Sequence, residues 1–167
     1  MPDRAATLSA APSAAAPVLV IERESPRQLE AVALVAALDA YLKERYADEA
    51  CHLLDIESLA ADDVRFFLAR RDGAAVGCAA LRVDPSGYGE VKRMFVTPQA
   101  RGGRIGKALL DRVAEQARAE GVSALLLETG VHQPEAVALY RKAGFVTRGP
   151  YANYPDLPES LFMERPL

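Results

Sequence analysis

The chain has 167 residues, half of them hydrophobic, and a formal net charge of −3, a size and composition that suit one compact domain with a proper core. That charge gives no basic footprint for nucleic acid, no apolar run is long enough to span a membrane, and Cys51 and Cys78 are too few for a disulfide framework or a metal-binding set. A cytoplasmic protein with reduced thiols is the default expectation.

Residues 1–17 are rich in Ala, Pro and Ser and lack a sustained apolar stretch behind basic residues. They read as a disordered tail rather than a signal peptide, with the folded domain over 18–167. Val18–Glu22 (VLVIE) is a short first strand. Ser25 and Pro26 open a helix as N-cap and first residue, with Gln28 placed for a capping box. The helix is expected to reach Tyr46, and Leu29, Val32, Ala33, Ala36, Ala40 and Lys43 mark one continuous, mostly apolar side. Residues 47–63 are irregular, with a short helix expected around Cys51–Leu54. Such segments in compact domains often form a functional surface.

Val64–Arg71 and Ala74–Val83 are strands joined by Asp72-Gly73, a strong hairpin signal. Cys78 falls inside the second strand, where a buried inert thiol is expected. Asp84–Gly87 turns the chain into a third antiparallel strand from Gly89, which Pro98 stops. Arg101-Gly102-Gly103-Arg104-Ile105-Gly106-Lys107 follows, and then a helix over Ala108–Glu120 with Ile105, Leu109, Val113 and Ala117 at helical spacing. Gly121 stops that helix. Val122–Glu128 (VSALLLE) is a nearly unbroken apolar strand, expected to be buried on both faces and parallel to the strand before the helix. Pro134 and Gly144 bracket another helix. Phe145–Thr147 starts a further strand, Pro150–Pro158 is a loop with two tyrosines, and Leu161–Glu164 is the last strand. The order of elements predicts an α/β fold, a mixed sheet with helices on both faces.

A glycine-rich turn that opens a helix has a physical use. The first helical N–H groups lack intrahelical partners and the helix dipole makes that end positive, so a phosphate fits there. Gly102, Gly103 and Gly106 let the backbone approach a ligand. Arg101, Arg104 and Lys107 add positive charge, and arginine can grip phosphate oxygens in pairs. A plainer use is a surface turn with basic residues placed for solubility. Two other phosphate loops are excluded. A P-loop would need glycine at Arg101 and a hydroxyl residue at Ala108, and the Rossmann glycine spacing is absent.

Arg101-x-x-Arg104-x-Gly106, after a strand ending Val96-Thr97-Pro98, resembles motif A of the GNAT N-acetyltransferases. The family pattern is Gln/Arg-x-x-Gly-x-Gly/Ala, and this chain departs from it with Arg104 at the middle glycine. The resemblance runs from about Val18 to Leu167 and is strongest between Glu90 and Phe145. It implies the GNAT fold, a central sheet that is mostly antiparallel, and acetyl-CoA as co-substrate without a metal. By the same resemblance, Arg101, Gly102, Gly103, Arg104, Ile105, Gly106 and Lys107 hold the pyrophosphate, and Met94, Phe95 and Val96 pair through their backbone with the pantetheine arm.

Acetyl transfer from a thioester to an amine needs a neutral amine, a stabilised oxyanion and a proton for the leaving thiolate. An alkylamine has a pKa near ~10.4, so freeing it at pH 7 costs about 4.6 kcal/mol, and a positioned base helps. Tyr140, in the run Ala138-Leu139-Tyr140-Arg141-Lys142-Ala143-Gly144-Phe145, resembles the motif B tyrosine that protonates the CoA sulfur. By spacing alone it is a core tyrosine. Glu90 is the first candidate base, and strand alternation would put it on the face of Lys92 and Met94. Glu128, ending the neighbouring strand, is its rival. A backbone N–H of Phe95 or a neighbour is expected to meet the oxyanion. His132 could relay protons from its loop, although a solvated histidine is the plainer role, and His52 has less to recommend it.

Tyr41, Tyr46, Tyr151 and Tyr154 are expected to border the cleft or cap the core. The pairing of GEVKRMFV with LETGVHQPEAVALYRKAGF resembles a bacterial GNAT subgroup described only in general terms as acetyltransferases. The expected acceptor is a small primary amine, with no nucleic-acid or membrane partner, and the family's frequent dimers leave a homodimer open. The rival functions are a non-catalytic CoA-binding module and a protein acetyltransferase, whose open groove the loop Pro150–Pro158 would wall off.

Overall fold

The computed structural model describes residues 16–46 and 54–167. The expected helix at Cys51–Leu54, His52 and most of the N-terminal tail lie largely or wholly outside the described residues. Among the described residues the elements run β1 (Leu19–Arg23), α1 (Leu29–Lys43), α2 (Ile56–Leu59), β2 (Val64–Arg71), β3 (Ala74–Val83), β4 (Tyr88–Val96), α3 (Ile105–Ala119), β5 (Ala124–Gly130), α4 (Pro134–Lys142), β6 (Val146–Arg148) and β7 (Ser160–Pro166). The strands form one seven-stranded sheet in the order β1-β2-β3-β4-β5-β7-β6. Every pairing is antiparallel except β4 with β5, as a strand–helix–strand connection requires.

Two large cores and a smaller cluster around Leu126, Tyr151 and Phe162 cover the sheet. On one face Leu109, Leu110 and Val113 of α3 pack with Phe67, Leu81, Leu125 and Tyr140. On the other, Leu34, Val35 and Leu38 of α1 pack on Phe66, Leu68 and Cys78. Burial there pushes the Cys78 thiol up to about 12, which keeps it an inert, protonated core residue. Leu125 and Leu127 join the first core while Leu126 points the other way, so β5 is buried on both faces as its apolar run predicts.

α1 corrects the sequence expectation. Its packed side is Ala31, Leu34, Val35 and Leu38, whereas the stripe through Leu29, Val32, Ala33, Ala36 and Ala40 faces outward, with Leu29 88% exposed. The helix is apolar on both sides, so periodicity alone could not choose between them. Its cap also differs. Ser25 Oγ accepts from Arg27 N–H at 3.2 Å, which caps a turn one step earlier, and the helix starts only at Leu29 behind Gln28.

A second correction concerns β4. Arg93 has φ +54°, and the β3–β4 register slips between Cys78 and Ala80. This bulge re-phases the strand. Before it, Val91 faces α3; after it, Met94 packs on that core and Phe95 joins the α1 core. Met94 therefore lies across the sheet from Glu90, contrary to plain alternation.

The feature that positions the site is a parting of strands. β4 and β5 pair only from Tyr88–Glu90 with Ala124–Leu126. Beyond that, β4 stays with β3 and β5 stays with β7, leaving a wedge between them.

Candidate active site

The wedge opens on two cavities. The larger, about 690 Å³, lies between the end of β4, the loop before α3, and α4. Every residue predicted to hold the co-substrate, from Met94 to Val96 and from Arg101 to Lys107, lines it except Gly103. The smaller, about 100 Å³, is bordered by Tyr46, Lys92, Arg93, Glu128, Glu159 and Ser160. The two share Leu38, Met94, Gln133 and Tyr140.

The loop into α3 is arranged for an anion. Gly102 has φ +81°, a conformation that glycine adopts freely. Among the described residues, the N–H groups from Gly102 to Lys107 have no acceptor within the protein; the next to donate is Ala108, to Arg104 O at 3.0 Å. Consecutive free amides at a helix start form a phosphate cradle. Arg104 sits at φ +59° as the α3 N-cap. Glycine would adopt that geometry without strain, and arginine holds it at about 1–2 kcal/mol.

The cations are less uniform than expected. Arg101 turns back, its Nε donating to Val96 O at 3.2 Å, and Lys107 pairs with Asp111 one turn along. Arg71 enters from the end of β2 and fills the space beside Gly103, where an added Cβ would stand 2.2 Å from its Nη2. Only the hairpin's tertiary placement brings Arg71 here, and sequence reasoning missed it.

Tyr140 stands where the cavities meet. It is 6% exposed, and its ring packs edge-on against Phe145 at 5.8 Å. Its hydroxyl makes no hydrogen bond among the described residues. A buried phenol without a partner points to an external one. Burial, reinforced by the charge of Glu128, holds its pKa well above the usual tyrosine value, so it remains a proton donor at neutral pH.

The two candidate bases are placed differently. Glu128 lines the smaller cavity beside Tyr140. Glu90 lines neither cavity. It is 5% exposed, and its Oε1 accepts from Tyr151 at 2.8 Å and Tyr154 at 2.5 Å, with Lys92 Nζ 3.4 Å away. Tyr41 borders the larger cavity and Tyr46 the smaller. Tyr151 and Tyr154 cap the sheet around Glu90.

Two further contacts shape the smaller cavity. Tyr46 crosses Gly130 so closely that an added Cβ would lie 1.9 Å from its hydroxyl, which accepts from His132 N–H at 2.9 Å. Only glycine leaves room for that crossing. His132 supplies its backbone to this contact, and its ring lies tilted against Tyr46 at 5.6 Å; the imidazole lines neither cavity. The Arg93 guanidinium bonds Leu54 O and Asp39, tying the bulge to α1.

Comparison with known proteins agrees with this architecture. The profile of the acetyltransferase (GNAT) family matches residues 29–145. The chain is 57% identical over 152 residues to an IAA acetyltransferase of Azospirillum brasilense, covering 90% of this chain and 99% of the relative. A Klebsiella pneumoniae structure assigned as an acyl-CoA N-acyltransferase superposes with a TM-score of 0.77 at 37% identity, covering 89% of this chain and 97% of that one. The PaiA N-acetyltransferase of Thermoplasma acidophilum, solved in complex with coenzyme A, shares the fold at a TM-score of 0.69 and 19% identity over 90% of this chain and 99% of its own. The parted strands, the anion loop and the matched profile together place this chain in the GNAT family of N-acetyltransferases.

Proposed function

We propose that the domain over 18–167 transfers the acetyl group of acetyl-CoA directly to the primary amine of a small molecule. The observation that carries this reading is the buried, unbonded hydroxyl of Tyr140 at the junction of the two cavities. The larger cavity has the free amides and cations that a pyrophosphate needs. The smaller one brings a carboxylate to the far side of the same tyrosine.

In this scheme the acceptor ammonium first gives a proton to Glu128, which passes it to solvent; the neutral amine then attacks the thioester carbonyl, forms the C–N bond and gives its second proton to Glu128. A backbone N–H on the open edge of β4, at Phe95 or a neighbour, meets the oxyanion. The C–S bond then breaks, and the leaving thiolate takes its proton from Tyr140. Solvent carries that second proton from Glu128 back to the tyrosine, so the turnover balances as amide, free thiol and one proton released to water. Glu128 has this role rather than Glu90 because it lines the acceptor cavity, and geometry precedes pKa in choosing a base.

The test is thiol release from acetyl-CoA with a panel of small amines, and with IAA as a separate arm. Release with an amine supports the proposal. Release with IAA alone would move the acceptor to the one in the relative's name. No release with any acceptor, together with tight CoA binding by calorimetry, would leave a non-catalytic CoA-binding module.

A further inference from the structure

Glu90 stands at a structural junction. It is the last β4 residue paired with β5, opposite Leu126, so the wedge begins at its backbone. Its side chain is buried among charged and polar groups from three elements. Tyr151 and Tyr154 of the 149–159 loop donate to one carboxylate oxygen, and Lys92 two positions along β4 lies 3.4 Å from the same atom. Lys92 Nζ also donates to the Tyr154 hydroxyl at 2.6 Å. On β3, Arg82 is the register partner of Glu90 and is itself held by Asp63. Both tyrosines are held well above their usual pKa, chiefly by burial and then by the Glu90 charge, so both stay donors.

An aromatic set seals the cluster. Tyr151 packs edge-on against Tyr88 at 5.9 Å, Tyr154 at 5.1 Å and Phe162 at 5.8 Å. The loop continues from these rings to Glu159 and Ser160, which border the smaller cavity, as does Lys92. Three residues of that cavity's wall thus depend on Glu90: Lys92 by contact, Glu159 and Ser160 through the loop.

We infer that Glu90 is a positioning residue, a buried carboxylate that clasps the 149–159 loop over the start of the wedge and so sets the acceptor side of the cleft. A general base needs a free lone pair facing the acceptor. Glu90 instead directs one oxygen to two hydroxyls and an ammonium, outside the cavity lining. The ionised form suits that task, because a carboxylate binds hydroxyl donors about twice as strongly as a neutral acceptor does. The inference rests on the acceptor-side reading proposed above.

The experiment uses the full chain with CoA bound. Glu90→Gln keeps an acceptor oxygen for the tyrosines but removes the charge that Lys92 needs. Hydrogen exchange over residues 149–160 should accelerate at least tenfold. With the best acceptor, KM for the acceptor should rise at least fivefold, kcat should stay within threefold, and the acidic limb of the kcat–pH profile and the CoA Kd should not move. A hundredfold fall in kcat with loss of the acidic limb would make Glu90 the base and overturn the inference. An acceptor KM within twofold of wild type would overturn it too. Tyr154→Phe, which removes one hydroxyl and serves if Glu90→Gln fails to fold, should shift exchange and KM in the same direction by less; no shift overturns the clasp. If wild type acetylates nothing, the exchange result alone decides: unchanged exchange removes the clasp, while faster exchange keeps it and places the failure in the proposed acceptor.

Discussion

The two halves of the cleft are built in opposite ways. The larger cavity comes mostly from one unbroken stretch, Met94 to Lys107, closed by α4, and much of what it offers is main chain. The smaller is assembled from α1, the middle of β4, the end of β5, Tyr140 of α4 and the entry to β7, and its border carries the ionisable Lys92, Arg93, Glu128 and Glu159. Main-chain donors tolerate substitution as long as the turn keeps its shape; Arg104 shows this by standing at φ +59° where the family pattern has glycine. A wall of side chains from distant segments has no such tolerance. On the proposed reading, the half that would hold a common donor is generic, and the half that would choose an acceptor is particular.

Three substitutions test that contrast. The largest effect belongs to the acceptor half. Glu128→Gln should lower kcat about a hundredfold at pH 7, the range for a lost general base, and the defect should shrink as pH rises toward the amine pKa near ~10.4. A pH-independent defect, or none, would remove Glu128 from proton transfer. Next comes the junction. Tyr140→Phe should slow thiol release at least tenfold, about 1.4 kcal/mol in the barrier, while calorimetry shows the same CoA affinity. Because the hydroxyl has no hydrogen-bond partner among the described residues, thermal stability should be unchanged or slightly higher. The raised pKa adds a sign: Tyr140 stays protonated through the ordinary tyrosine range near ~10, so no alkaline limb below that value should vanish in the variant. The smallest effect belongs to the generic half. Arg104→Gly relieves the left-handed strain but frees the unfolded chain, so stability should shift by less than about 1 kcal/mol. CoA affinity should stay within about threefold, since the cradle of amides remains. A tenfold loss would show that the Arg104 charge, not the backbone, grips the phosphate, and the contrast would fail.

The same division explains what could be read from the residues alone. β2 and β3 were legible to the residue because Asp72-Gly73 fixes their turn and their patterns are unambiguous. The anion loop was legible because its elements are neighbours in the chain. Four things were not. The buried side of α1 was hidden by alanines that make both sides apolar. The bulge at Arg93 leaves no mark in composition, since an arginine rather than a glycine takes the positive φ. The tyrosine partners of Glu90 lie about sixty positions away in the Tyr151–Tyr154 loop, and neither local propensity nor spacing reports on contacts of that range. Arg71 beside Gly103 was missed for the same reason.

The kink at Arg93 has an engineering consequence. It works as a swivel within a single strand: Glu90 and Lys92 address one side of the sheet, Met94 and Val96 the other. On the proposed reading, changes upstream of the swivel would alter which nucleophile is admitted without disturbing how the thioester is seated downstream. Libraries aimed at new acceptors should vary residues on the near side of Arg93 and leave Arg93 itself, with its hold on Asp39 and Leu54, untouched.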